Sequence, residues 1–222
     1  VAAPRITLPG ERGAVDALLD LGADALLLRS PGQLELLRRK VARGATAKGR
    51  GAPSPPELRG DFSFNVANAL SARDLLDDGC LARLAPSHDL SGPALADLAR
   101  HLAPDAREKL EGVVHQHLPI FHSSHCVYAR HLSNGDSFET CGHVCERHTL
   151  HLRDEHGADH VVLADMGCRN TVFNAAAQSA ADALADWLDA GINRFRVEFV
   201  DEKPDAVANV LGAYQDLFES RG

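Results

Sequence analysis

What this chain lacks narrows it first. Across its 222 residues no apolar run approaches the roughly 20 residues that span a bilayer, so no helical membrane span is expected. The opening VAAPRITLPGE has neither a basic start nor an apolar centre and does not read as a secretory signal. An initiating methionine is also missing, and we expect a fragment of something longer, short of a partner subunit or of an N-terminal region. Nor is there an excess of basic charge. The formal net charge of -8 argues against a surface that tracks phosphates generally. The local exception, Arg38, Arg39 and Lys40 through Arg43, Lys48 and Arg50, reads as a helix end and a solvated loop. No GxGxxG, Walker-type GK[ST], HExxH or GxSxG occurs, which disfavours nucleotide-binding, zincin and serine-hydrolase chemistry.

What is present is concentrated in one stretch. Cys126, Cys141, Cys145 and Cys168 are four of the five cysteines, with 14, 3 and 22 residues between successive ones. Ten of the twelve histidines fall between His115 and His160. An odd, clustered set of cysteines does not resemble a secreted disulfide framework; metal or redox use in a reducing cytoplasm fits better, so a cytoplasmic location is expected. Soft thiolates suit zinc or an iron–sulfur cluster rather than calcium or magnesium.

Short apolar runs alternate with helical periods along the rest. Strands are expected at Arg5–Leu8, Ala25–Leu28, Asp61–Val66, Leu81–Pro86, within Glu111–Ile120, at His160–Asp165 and at Phe195–Val200. Helices are expected over Glu11–Leu21, from Ser30 and Pro31 to Val41, after caps at Ser71 and Ser91, over Asn174–Ala190, and over Pro204–Glu219. Residues 44–56 read as a Gly/Pro-rich loop. Strand–helix units at this spacing predict an α/β fold with parallel strands. Six or seven such units suggest a TIM-like (β/α) barrel, incomplete or missing its first units, as one domain over 1–222 with a Cys/His-rich insertion at about 118–160. Functional residues of such barrels follow the strand ends. That expectation gathers Asn65, Asn68, Ser87, His88, His115, His117, Asp165, Glu198 and Asp201 round one mouth.

Spacing leaves three readings of the cysteines open. A zinc site usually shows two close pairs, and only Cys141 and Cys145 make one, with His143, His148 or His151 as supplements. A cubane cluster takes four thiolates at irregular spacing. Some of the four could also be buried simply as small hydrophobes. Cys80 reads as packing. Among the histidines, His117 is the better acid–base candidate, being nearest the expected mouth, while His148, His151, His156 and His160 flank the charged hairpin LRDEHGADH and read as solvated. After the next strand, GCRNTVFN offers Arg169, which can fork a carboxylate or phosphate, and Asn170 and Asn174, which bind substrate or cap the helix that follows.

HQHLPIFHSSHC, then TCGHVCERHTLHLRD, then ADMGCRNTVFNAAAQSA resemble the C-terminal part of the collagenase-like peptidase family U32, over roughly residues 60 to 220. The resemblance implies a barrel that leads into four cysteine ligands, here Cys126, Cys141, Cys145 and Cys168, for a 4Fe–4S cluster. It also implies oxygen-independent hydroxylation, of an RNA base or of a quinone precursor. His117, Asp165 and Glu198 would then be the catalytic candidates, and Asn65, Arg169, Asn170 and Asn174 the substrate-binding ones. Two alternatives stay beside it: a peptidase acting on a peptide chain, as the family name says, and a non-catalytic zinc-stabilised binding module.

Overall fold

The computed structural model describes residues 1–47 and 55–220, and side chains except those of 41–47. Of the stretch expected as a loop, 44–56, residues 44–47 are helical and 48–54, with Lys48 and Arg50 of the basic run, lie outside what is described, as does the Arg43 side chain. The chain divides into two compact units, one of 1–113 with 182–196 and one of 114–181 with 197–222. No helix among the described residues is long and apolar enough to cross a membrane.

The first unit is built on parallel pairing. Helix α1 (Arg12–Ala17) precedes β1 (Ala25–Leu28), and α2 (Pro31–Ala47) connects it to β2 (Glu57–Gly60). Next come α3 (Ala69–Leu76), β3 (Arg83–Leu84), α4 (Gly92–Arg100) and α5 (Pro104–Arg107). The sheet order is β1-β2-β3, with Leu28 opposite Gly60 and Gly60 opposite Leu84. Leu84 also bridges in parallel to Leu110, so the chain beyond α5 continues the same direction. Leu26, Leu28, Leu37, Leu76, Leu81, Leu84 and Leu110 are buried with almost no exposure, each worth about 1.5–3 kcal/mol relative to an exposed side chain. At Gly60 a Cβ would stand 2.8 Å from Leu84 Cδ1, so a larger residue there would make that buried side chain shift.

β4 (Gly112–Gln116) carries the chain into the second unit, which is mostly antiparallel. β5 (Pro119–Ser123), α6 (Val127–Leu132), β6 (Leu150–Arg153), β7 (Asp159–Asp165) and β8 (Arg169–Phe173) follow, with the sheet order β5-β8-β7-β6. β9 (Gln178–Ser179) pairs antiparallel with His115 and Gln116 of β4. Helix α7 (Leu184–Asp189) belongs to the first unit, where the Trp187 indole donates to the Gly92 carbonyl at 2.9 Å. The chain returns through β10 (Phe195–Val197) to α8 (Pro204–Glu219) of the second unit.

The α/β class expected from the sequence is present, but among the described residues the strands close no barrel. Parallel order extends over three short strands, and the strands around the cysteines run antiparallel because they are joined by tight hairpins instead of crossover helices. Several segments differ from expectation. Residues 5–8 form no strand. Asp61–Val66 holds a 3-10 turn, Phe62–Phe64, after a strand at 57–60. The long helix expected over Asn174–Ala190 is β9, a 3-10 turn and the six-residue α7.

Candidate functional site

The four cysteines meet in the second unit. β7 and β8 form an antiparallel pair in which Val162 faces Val172, and Tyr128 and Val144 pack on those valines. Cys126, Cys145, Leu150 and Leu152 lie against the same core. Tyr128 is anchored by its hydroxyl, which donates to the Val162 carbonyl at 2.6 Å.

Each cysteine is placed by a local device. Cys126 is the N-cap of α6, its Sγ accepting the Ala129 N–H at 3.4 Å. Asn170, fully buried in β8, satisfies another amide of that first turn: its Oδ1 accepts from Val127 at 2.6 Å while its Nδ2 donates to the Arg169 carbonyl at 2.8 Å. Cys141 and Cys145 bracket a turn in which Gly142 and His143 are both left-handed, at φ 66° and 53°. Arg147 holds that turn by donating to the Gly142 carbonyl at 2.7 Å. Cys168 is itself left-handed at φ 59°, directly after Gly167 at φ 71°. Two non-glycine residues in this costly region mark positions that the surroundings impose.

All four thiols are free and line one cavity of about 580 Å³, together with Tyr128, Phe138, His143, Val144, Glu146, Asp165 and Met166. The Phe138 and His143 rings stack at its edge, with centroids 4.4 Å apart. Burial pushes the Cys168 thiol up, and the proximity of Cys126, Cys141 and Cys145 adds to the rise. Among the described residues no three His, Cys, Asp or Glu side chains converge on a single point suited to one metal ion.

A second polar group sits in the same unit. His117 Nδ1 donates to the Asn174 carbonyl at 2.7 Å, and its Nε2 stands 3.1 Å from Glu202 Oε1. That contact is in ion-pair range though not lined up as a hydrogen bond. His115 Nε2 is 3.9 Å from the same oxygen, and its ring meets that of His117 edge-on. Burial pushes Glu202 upward, but the amides of Val200, Glu202 itself and Asp201, with His117, outweigh it and hold the carboxyl below the usual range. For His115, burial dominates and lowers it, opposed by Glu202 and helped by His117.

The sequence model of Peptidase family U32 matches residues 8–221. The chain belongs to Peptidase family U32. No match was found among curated proteins, and none among solved structures.

In this U32 chain the site residues expected from sequence scatter. Asp165 does reach the cysteine cavity, where its Oδ1 accepts the Met166 N–H at 2.7 Å. Arg169 lies opposite Asp165 in the β7–β8 register and is 4% exposed, so it is not presented to solvent. Asn170 supports Cys126 and caps the helix before it, not one after it. Asn174 contributes its carbonyl to His117. The Glu198 amide donates to the His115 carbonyl at 2.8 Å, which ties the backbone beyond β10 to β4. Asn65 belongs to the first unit, left-handed at φ 56° after the turn Phe62–Phe64. His160 is not solvated as expected: Nδ1 accepts from Ala175 at 3.1 Å, so Nε2 carries the proton and donates to Asp154 at 3.1 Å. Glu202 went unnoticed in the sequence. The strand expected through Val200 ends at Val197, and the available signal was an acid two places before the helix-opening Pro204.

Proposed function

We propose that this U32 chain holds a 4Fe–4S cluster through Cys126, Cys141, Cys145 and Cys168 and acts in oxygen-independent hydroxylation of a planar ring. The observation that carries this reading is the shared cavity: four free thiols from three separate loops line one space of about 580 Å³. Four thiolates at irregular spacing are the ligand set a cubane cluster takes, whereas only Cys141 and Cys145 make the close pair that a zinc site usually shows twice. Bound there, such a cluster supplies electron transfer. The chain's own residues would do the rest. Asp165 offers the cavity a carboxylate whose Oδ2 makes no hydrogen bond among the described residues. His117, with Glu202 beside it, would hold or pass a proton at Nε2. Phe138 and His143 would shield the cavity edge.

The ring is that of an RNA base or of a quinone-type precursor, and the basic run bears on the first. Arg38, Arg39 and Lys40, the described head of the one basic run, are already paired with Glu35, Asp78 and Asp16. The parallel β1–β3 unit is read as a piece of the barrel that the family resemblance implies, and the cellular setting as the reducing cytoplasm in which such a cluster persists.

Anaerobic purification with iron, sulfide and zinc analysis and a visible spectrum tests the proposal. About four irons and four sulfides per chain, lost together when any one of the four cysteines becomes serine, are expected. Stoichiometric zinc in a colourless protein would sink it in favour of a zinc-stabilised module. Peptide cleavage that survives all four Cys→Ser changes would instead return the chain to the peptidase reading.

A further inference from the structure

The parallel unit carries a polar constellation that the cysteine chemistry does not use. Arg29 directly follows β1, and Asp61 directly follows β2. In α/β folds, ligands bind beyond the carboxyl ends of parallel strands, where these two residues stand. Asp61 is 1% exposed and accepts from Arg29 Nε at 3.3 Å and from Arg196 Nη2 at 2.6 Å. Arg196 Nη1 reaches Glu111, also buried, at 2.9 Å. A carboxylate this deep is costly unless it is paired, so the network is held together firmly and fixes the Nε edge of Arg29. The Ser63 hydroxyl fixes the backbone there as well, donating to the Arg29 carbonyl at 2.7 Å.

The far end of the same guanidinium is open. Its two terminal amines make no hydrogen bond among the described residues, and the side chain is 32% exposed. On the turn that follows β2, Phe62 stacks on His88 with centroids 4.1 Å apart, and the Arg5 guanidinium lies 5.5 Å above the Phe62 ring. His88 Nδ1 is buried without a hydrogen-bond partner among the described residues. Asp89, the acid next to it, is taken up by the Ser87 hydroxyl at 3.0 Å. Asn65 closes this turn in a left-handed conformation that a non-glycine residue adopts at a cost.

We propose that the open tip of Arg29, held beyond the carboxyl ends of β1 and β2 by Asp61, binds the oxyanion group of a small ligand, a phosphate or a carboxylate. A guanidinium held along one edge presents its remaining N–H pair as a ready fork, and both anions match that fork with two parallel hydrogen bonds. The site stands on the first unit alone and does not depend on a metal at the cysteines.

Arginine labelling of the full chain with phenylglyoxal, mapped by peptide mass spectrometry, tests it in buffer, in inorganic phosphate and in malonate at constant ionic strength. Arg29 is expected to react in buffer. At an anion concentration ten times its dissociation constant, the labelling should slow about tenfold by mass action, while exposed Arg153 is unchanged. Protection by phosphate alone identifies a phosphate-bearing ligand, by malonate alone a carboxylate, and by both an oxyanion fork of either kind. Protection by neither, equal protection of Arg153, or an Arg29 that does not react in buffer would overturn the proposal.

Discussion

The Asn170 side chain joins two parts of the cysteine site that are far apart in sequence. Its carbonyl oxygen takes the first free amide of the helix that Cys126 caps, and its amide binds the carbonyl of the residue before it, Arg169, which directly follows Cys168. No water competes at this fully buried position. Replacing Asn170 with alanine leaves the Val127 N–H unsatisfied in the interior, at a cost of about 1–3 kcal/mol. Asn170→Asp restores the acceptor but not the donor. The expected order of urea midpoints is therefore wild type, then Asn170→Asp or Asn170→Ala well below it. Metal content after anaerobic loading should fall in parallel if Asn170 sets the position of Cys126. An alanine variant as stable as wild type would remove this role. The asparagine was visible in the sequence as a polar residue next to a cysteine, but nothing local indicates that its partner lies 43 residues upstream.

At the scale of elements, legibility follows how local each cause is. β1 and α8 have the bounds that the sequence suggested, because an apolar run and a proline-opened amphipathic period are self-contained signals. The β6–β7 hairpin was also legible in its charged turn, where Asp154 gathers the amides of His156 and Ala158. The alanine-rich stretch after Asn174 instead suggested a helix by propensity, and pairing of Gln178 and Ser179 with β4 overrides it. That the strands close no barrel among the described residues was not legible for a related reason: apolar runs alone do not report whether neighbouring strands run parallel or antiparallel. The loop before Cys141 depends on another feature that no pattern announces. At Gly135 the chain passes so close to Thr140 that an added Cβ would lie 2.2 Å from its carbonyl oxygen. Gly135→Ala must therefore push the loop apart, at a cost of about 1–3 kcal/mol, and displace Phe138 and Cys141. Limited proteolysis is expected to cut this variant between residues 133 and 141 where wild type resists. Equal resistance would mean that the loop yields without cost.

For the whole molecule, the two units respond to acid in the same direction. In the first, burial is the main influence on His88; Asp89 and Asp61 oppose it and Arg5 adds to it, leaving the ring below its ordinary value. In the second, burial likewise lowers His115 against the pull of Glu202, with His117 adding to the fall. A histidine lowered in the folded state takes up its proton first in the unfolded chain. Its contribution is thus whole above the ordinary histidine range and is lost progressively as pH falls through that range. Glu202, held below the usual carboxylate range, loses its contribution only in stronger acid, so the two losses occur in separate windows. Urea unfolding between about pH 7.5 and about pH 5.5 should therefore show falling stability for wild type. His115→Gln and His88→Gln should each flatten the fall, and the double variant should flatten it most. The midpoint of a variant in that series compares only with its own value at the higher pH, because each substitution also changes packing against Phe199 and Tyr214, or against Phe62. A slope in the double variant equal to that of wild type would place the acid sensitivity elsewhere.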